Sequence, residues 1–183
     1  MNEKTLIKLE FDKIRAQLME YTYFDGGKRA IKESGPSSEY LTVLRRLDET
    51  AQAMELLRFG EPSFLSRVKL IDGLLAKAKV SSLLSPQELL EVSFLLAASR
   101  LAKKMTDDNK YEALKIYGSQ LIENRDLETK ITEAISEEAE IKDGASPVLY
   151  TIRRQINTFR SRIKEYLNQF IRSENNQKYL QEA

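Results

Sequence analysis

The sequence predicts an all-α protein, with a compact helical body followed by a long C-terminal lever or coiled-coil-like helix. Leu, Glu, Lys, Arg and Ala are plentiful, while only seven Gly and four Pro occur in 183 residues, and this composition favours helix. Apolar residues recur at spacings of three and four and nowhere alternate with a period of two. The last forty residues carry a sustained heptad pattern, which is typical of a helix that packs along a partner.

The first predicted helix covers residues 5–24 and has a possible break near Asp12. Asp25-Gly26-Gly27 then marks a turn and the start of a short helix, which Ser34-Gly35-Pro36-Ser37 ends. The strongest amphipathic pattern of the body follows, between Ser37-Ser38 and Gly60. Its apolar positions are Leu41, Leu44, Leu47, Ala51, Met54 and Leu57.

Residues 68–80 predict another short helix. Ser85-Pro86-Gln87-Glu88 is a capping box with proline at the first helical position, and it predicts a helix to about Met105. Two further helices are predicted at 110–124 and 126–138. Residues 142–145 then form a turn before the C-terminal helix.

The C-terminal helix has a clear start, because Ser146 is a good N-cap and Pro147 suits the first helical position. Its apolar side chains alternate spacings of three and four over three heptads, which predicts a helix-pairing seam. The seam residues are Leu149, Ile152, Ile156, Phe159, Ile163, Tyr166 and Phe170. We therefore divide the chain into a helical core body, residues 1–145, and an ascending lever, residues 146–183, whose partner helix we expect in a longer protein.

Charge is uneven, although the net charge is only +1. Residues 106–145 carry eleven acidic and five basic side chains, whereas residues 151–172 carry six basic side chains and one acidic. These charges either cover solvated helix faces or place the C-terminal helix near nucleic-acid phosphate. The candidate phosphate contacts are Arg153, Arg154, Arg160, Arg162 and Lys164, which do not all share one helical face.

The sequence predicts neither catalytic nor metal-binding residues. Histidine and cysteine are both absent, which removes the usual nucleophile–base pairs and most zinc sites. Gly26-Gly27-Lys28 lacks the first glycine and the Ser/Thr of a phosphate-binding loop, so it is interpreted as a helix start. The absence of a long apolar run and of a signal-peptide pattern predicts a cytoplasmic protein without membrane contact.

Several motifs occur in an order that resembles the bacterial MutS-two family, the endonuclease paralogue of the mismatch-repair ATPase MutS. The first is the opening stretch from Lys4 to Ile14. The others are Leu47-Asp48-Glu49-Thr50, Gly60-Glu61-Pro62, Leu84-Ser85-Pro86-Gln87-Glu88-Leu89-Leu90, Asp143-Gly144-Ala145-Ser146-Pro147, Ile152-Arg153-Arg154-Gln155-Ile156 and Lys178-Tyr179-Leu180-Gln181. The resemblance spans nearly the whole chain.

The resemblance implies a non-catalytic core and lever fragment that couples the ATPase state of the parent protein to a nucleic-acid clamp. The remainder of the parent would supply the clamp, the descending lever, an ATPase that uses ATP and Mg²⁺, and a nuclease domain. The family relationship further implies an ATP-dependent endonuclease that acts on DNA, to suppress recombination, or on collided ribosomes, through RNA contacts.

The alternative is a free-standing helical adaptor that pairs through its C-terminal coiled-coil arm. The two hypotheses differ in what covers the seam. In the isolated fragment, the lever hypothesis leaves the seam uncovered, so we expect the arm to self-associate or to fold back on the body. Loss of the Phe159 or Ile163 side chain from a covered seam would cost about 2–5 kcal/mol.

Overall fold

A computed structural model describes residues 3–58, 60, 62–107 and 110–173 of the chain. The part of the chain that it describes is all-α, which confirms the predicted fold class. Its helices are α1 (Glu3–Lys8), α2 (Phe11–Glu20), α3 (Asp25–Glu33), α4 (Tyr40–Arg58), α5 (Asp72–Lys79), α6 (Pro86–Thr106), α7 (Glu112–Ser119), α8 (Arg125–Ala134) and α9 (Pro147–Arg172). Short 3₁₀ turns lie at Ser63–Arg67 and Asp143–Ala145.

The chain divides into two compact units, Met1–Thr132 and Glu133–Ala183. This division follows the density of contacts, so the predicted boundary between residues 145 and 146 stays a prediction about independent domains. Residues 174–183 of the predicted lever, with the motif Lys178-Tyr179-Leu180-Gln181, lie outside the described residues.

Helix α6 lies at the centre of the first unit. Its N-terminus has the predicted capping box, in which Ser85 Oγ accepts from the Glu88 N–H (3.3 Å) and Glu88 Oε2 accepts from the Ser85 N–H (2.8 Å). Leu90, Ser93 and Ala98 of α6 are buried, and the helix packs against α7 and the Ser63–Arg67 turn. The capping box therefore starts the helix that carries the core.

Polar side chains join the neighbours of α6 to it. The Arg100 guanidinium donates to both carboxylate oxygens of Glu128 on α8, at 3.1 and 2.7 Å. This fork holds the pKa of the Glu128 carboxyl below its usual value. Arg67 stacks over the Phe94 ring, with its guanidinium carbon 3.7 Å from the ring centre, a favourable cation–π geometry.

Helix α4 packs on α7 through its polar face rather than its apolar one. The Gln52 side-chain oxygen accepts from the N–H groups of Ala113 (3.0 Å) and Leu114 (3.4 Å), so it caps the first turn of α7. On the same face, the Tyr117 hydroxyl donates to Glu49 (2.8 Å). The apolar residues that predicted α4 are largely exposed, as Leu47 illustrates at 61%.

The possible break near Asp12 is confirmed close by, at Glu10, whose φ of 53° is left-handed. Several predicted helix ends, however, are wrong. Helix α7 ends at Ser119 rather than near residue 124. The predicted end at Asn124 belongs to the start of α8, where the Asn124 side chain accepts from the Leu127 N–H (3.1 Å). Helix α8 ends at Ala134, where a tight turn replaces the predicted continuation to residue 138.

In the second unit, that tight turn precedes α9. Ile135 and Ile141 form an antiparallel bridge, and the Lys142 N–H donates to the Ala134 carbonyl (2.9 Å). Ala139 adopts a left-handed φ of 62° in the turn. The turn and the Asp143–Ala145 3₁₀ segment lead into the first turn of α9.

Candidate functional site

Helix α9 carries every side chain that the sequence predicts for helix pairing and nucleic-acid contact. Ser146 Oγ accepts from the Leu149 N–H (3.0 Å), and Pro147 occupies the first helical turn, as predicted. Arg153 fixes the start of the helix to the preceding turn, since its guanidinium donates to the Ile141 carbonyl (2.8 Å) and to Asp143 Oδ1 (2.5 Å). These contacts give α9 a defined direction as it leaves the turn.

The predicted seam forms one continuous stripe along α9. At 100° per residue, its seven side chains fall within about 100° of the helix circumference. Leu149 is half-buried, and the other six, from Ile152 to Phe170, are exposed. Phe159 is 58% and Ile163 is 59% exposed. The described residues thus leave the seam without a covering helix, and its pairing stays a prediction.

The five candidate phosphate contacts separate into two groups on the helix surface. Arg153, Arg160 and Lys164 follow one flank of the seam, because their spacings of seven and four return to nearly the same helical angle. Arg154 and Arg162 lie on other parts of the circumference. The structure therefore places three of the five cations in one row, which we call the basic flank.

The basic flank is only partly available to a ligand. Arg153 already holds Asp143 and the Ile141 carbonyl. Arg153 and Arg160 also line a shallow groove with Glu140 and Asp143. The two acidic side chains lower the positive potential at the N-terminal end of the flank, and Lys164 is the cation of the flank that lies outside this groove.

Hydrogen bonds lower the pKa of several described carboxyls. A side-chain hydrogen bond from Lys77 and a backbone hydrogen bond from Ser85 lower the pKa of Glu88 to about 2. A hydrogen bond from the Ser136 side chain lowers the pKa of Glu138, which belongs to one of the carboxylate pairs present in the sequence. Carboxyls shifted in this direction remain ionised at neutral pH, whereas a general acid needs a raised pKa.

Within residues 3–58, 60, 62–107 and 110–173, no three His, Cys, Asp or Glu side chains come close enough to hold a metal ion. None of the helices within the same ranges combines the length and the apolar content needed to cross a bilayer.

Sequence reasoning missed the polar contacts between helices. The sequence pattern places Gln52 and Glu49 on a solvent-facing side of α4, yet both side chains bind α7, which lies more than sixty residues later in the chain. The available signal is a weak one: α4 carries polar side chains at positions 49 and 52 on the face opposite its apolar stripe. Only the position of α7 turns that face into a contact.

Fold and surface together define the class: an all-α segment whose helix α9 carries an exposed apolar stripe and a row of cations. No protein-family model matches the chain. Its sequence is, however, 35% identical over 188 residues to the Endonuclease MutS2 of Bacillus cytotoxicus, 36% to that of Bacillus mycoides and 35% to that of Bacillus thuringiensis. Each alignment covers 100% of this chain and 24% of the relative.

Over its whole length, the chain therefore matches a segment of proteins named Endonuclease MutS2, which confirms the predicted resemblance. The chain spans about a quarter of the length of the curated relatives that it matches.

Proposed function

We propose that this chain is a non-catalytic core and lever segment that transmits ATPase-driven movement to a nucleic-acid clamp in a longer MutS2-like protein. The observation that carries the proposal is the exposed seam of α9. Homology to relatives named as endonucleases, of which the chain spans about a quarter, supports the expectation that other segments supply the partner helix, the clamp and the motor.

The form of α9 suits a mechanical element. Its 26 residues correspond to about 39 Å of helix at 1.5 Å per residue. A helix transmits displacement along its axis only when neighbouring elements hold it along its length. The Arg153 contacts hold one end, and the seam offers the surface on which a second helix would hold the rest.

The basic flank extends the proposal to nucleic acid. Arg160 and Lys164, with Arg153 beside them, would approach the phosphates of DNA or ribosomal RNA, while Arg154 and Arg162 would make separate contacts. Such contacts depend strongly on salt, since each neutralised phosphate releases counterions. The proposal includes both DNA and the ribosome as targets, because contacts to phosphate do not distinguish them.

ATP and Mg²⁺ belong, in this proposal, to the ATPase in the remainder of the protein. No residue of this chain is assigned to them. The role of the chain is mechanical, so its substitutions should change the response of the motor to nucleic acid rather than its basal turnover.

The decisive experiment compares two aromatic positions of α9 in the longer protein. Phe159→Asp places a charge on the seam, whereas Tyr150→Asp places the same charge on an exposed aromatic position of the opposite face. We expect Phe159→Asp to abolish stimulation of ATP hydrolysis by nucleic acid and to leave basal hydrolysis intact. Tyr150→Asp should behave as wild type, and equal stimulation in both variants would overturn the coupling proposal.

Nucleic-acid contact by this chain is tested separately. Affinity for branched DNA and for structured RNA is measured against salt concentration for wild type, Arg160→Ala, Lys164→Ala and the control Lys130→Ala on α8. Each flank substitution should reduce the slope of log K against log salt by roughly 1, with no change for the control. Binding that does not respond to salt would remove the basic flank from the proposal.

The alternative of a free-standing adaptor makes a different prediction about the gene. The coding sequence downstream of the Ala183 codon should continue into a segment with a phosphate-binding loop if the lever proposal is right. A stop codon directly after Ala183 would favour the adaptor, whose arm would pair with another protein or with itself.

A further inference from the structure

The cations of α9 fall into two sets when they are sorted by heptad position. The seam residues occupy positions a and d, and positions e and g border them on either side. Arg153 and Arg160 are at e, and Arg162 is at g. Arg154 and Lys164 are at f and b, further from the seam. A helix that covered the seam would therefore contact the first set, the border arginines, and leave the second set exposed.

The border of the seam carries no acid of its own. Of the six e and g positions between residues 152 and 170, three are arginine, two are glutamine and one is leucine. The single carboxylate in this stretch, Glu165, is at position c. Charge that neutralises the border arginines has to come mainly from outside α9.

Arg153 shows how a border arginine of this helix is neutralised. Its guanidinium donates to Asp143 Oδ1 (2.5 Å) and to the Ile141 carbonyl (2.8 Å). Both partners belong to the segment that precedes α9, and this segment forms a groove with Ile156 of the seam and with Arg160. The chain itself thus places a carboxylate on an arginine at the edge of the seam.

Arg160 lies one heptad beyond Arg153, about 10.5 Å along the helix axis. Glu140 lines the groove on this side, yet the ion pairs of the described residues include neither Arg160 nor Arg162. Both arginines are exposed. A helix laid on the seam would remove water from one side of each guanidinium, which is costly for a cation without a partner. Carboxylates on that helix would offset this cost.

We propose that the helix covering the seam carries carboxylates that face Arg160 and Arg162, an inference that rests on the proposed function and adds the chemistry of the partner helix. Either orientation of the pair meets this requirement, because e and g positions lie opposite e or g positions of the partner in parallel and antiparallel pairs alike. Charges at these positions set the choice of partner. The apolar seam supplies contact area, and the border arginines select an acidic helix.

The partner helix and phosphate then compete for Arg160. In the proposed function this side chain approaches nucleic acid, but a carboxylate of the partner helix occupies its guanidinium while the seam is covered. Lys164, at position b, stays available in both states. Movement of the partner helix on the seam therefore changes the number of cations that α9 offers to phosphate.

Amide hydrogen exchange of α9 in the longer protein tests the carboxylates. The Arg160→Glu, Arg162→Glu double variant brings acids to the border, whereas the control Arg154→Glu, Lys164→Glu makes the same change of charge away from it. We expect α9 to exchange about tenfold faster in the border variant, the effect of losing two exposed ion pairs. The control should exchange like the wild type. Unchanged exchange of α6 in both variants shows that the body is folded.

The outcomes of this experiment separate the inference from the proposed function. Slow exchange of α9 in the wild type that the border variant leaves unchanged, or slows further, would refute the carboxylates alone. Equal acceleration in the border variant and the control would refute them too, because the position of the charge would then not matter. Rapid exchange of α9 in the wild type would overturn the proposed function as well, since no helix would cover the seam.

The competition at Arg160 is tested by the salt dependence of nucleic-acid binding in this chain and in the longer protein. In this chain, at low protein concentration, Arg160→Ala and Lys164→Ala should each reduce the slope of log K against log salt by roughly 1. In the longer protein only Lys164→Ala should do so, because the partner helix holds Arg160.

An equal reduction of the slope by both substitutions in the longer protein would overturn the competition. No reduction by either substitution in either protein would remove the competition together with the nucleic-acid contact of the proposed function. The hydrogen-exchange comparison would still decide whether the partner helix is acidic.

Discussion

Helices α6 and α9 have similar N-terminal caps but lie in different environments. Both start with a Ser N-cap followed by Pro, and both run for more than twenty residues. Helix α6 buries Leu90, Ser93 and Ala98, whereas no residue of α9 is buried. The better-defined apolar stripe is thus on the exposed helix, so a regular heptad pattern does not by itself identify a buried core.

The largest expected difference between the two helices is the loss of stability when one apolar side chain of each is truncated. Leu90→Ala on α6 should lower the free energy of unfolding by about 2–5 kcal/mol, since it leaves a cavity in a packed region. Phe159→Ala on α9 should change it by less than about 0.5 kcal/mol in dilute solution, where the seam is solvated. Urea denaturation at low protein concentration measures both, and equal losses would show that the seam is covered within a single chain.

The next effect concerns the close approach of α6 and α7. A Cβ atom at Gly118 would lie 1.9 Å from Thr106 Oγ1 and 3.0 Å from Thr106 Cβ, so Gly118→Ala should destabilise the protein by about 1–3 kcal/mol. The matched control is Gly73→Ala in α5, where a Cβ meets nothing within 4 Å. That substitution should be neutral or stabilising by up to about 1 kcal/mol. A harmless Gly118→Ala would mean that the two helices are not in close contact.

Removal of the two serine caps should have a smaller effect on stability, and the effect should differ between the two helices. Ser85→Ala should lower the free energy of unfolding of the body by about 0.5–2 kcal/mol. Ser146→Ala removes the same kind of hydrogen bond from α9 but should leave the main unfolding midpoint unchanged. Its effect should appear as faster amide hydrogen exchange in the first turns of α9. An unfolding midpoint lowered in both variants would indicate that α9 and the body unfold together.

The smallest effect is the pH dependence of the α6 cap. The pKa of Glu88 is lowered from 4.5 to about 2, chiefly by its hydrogen bond from Lys77. A carboxyl with a lowered pKa in the folded state stabilises the protein above its unfolded value, and this contribution is lost as the pH falls from about 4.5 to about 2. The stability difference between wild type and Glu88→Gln should therefore shrink over that window. A difference that stays constant would contradict the role of the charge.

Local signals explain the parts of the fold that could be predicted from the sequence. The capping box at Ser85 and Glu88 and the cap at Ser146 depend on residues three positions apart, so pattern and geometry coincide. The bounds of α7 and α8 were harder to predict, because the apolar pattern continues past Ser119. The sequence also does not show that Asn124 caps the start of α8.

For the candidate site, too, helical periodicity predicts some features, while others depend on the tertiary structure. Periodicity alone placed the seven seam residues on one face of α9. The separation of Arg154 and Arg162 from the basic flank also follows from helical geometry. The engagement of Arg153 with Asp143 could not be read from the sequence, because it depends on how the turn after α8 approaches α9.

The sequence by itself determined that the protein is helical, where its capped helices begin and which side chains share a stripe, because these depend on bonds and spacings within a few residues. Tertiary structure alone decided which stripes are covered. Helix α4 turns Gln52 and Glu49 toward α7 and leaves Leu47 and Met54 outside. Burial depends on which surfaces meet across long stretches of chain, and no local pattern contains that information.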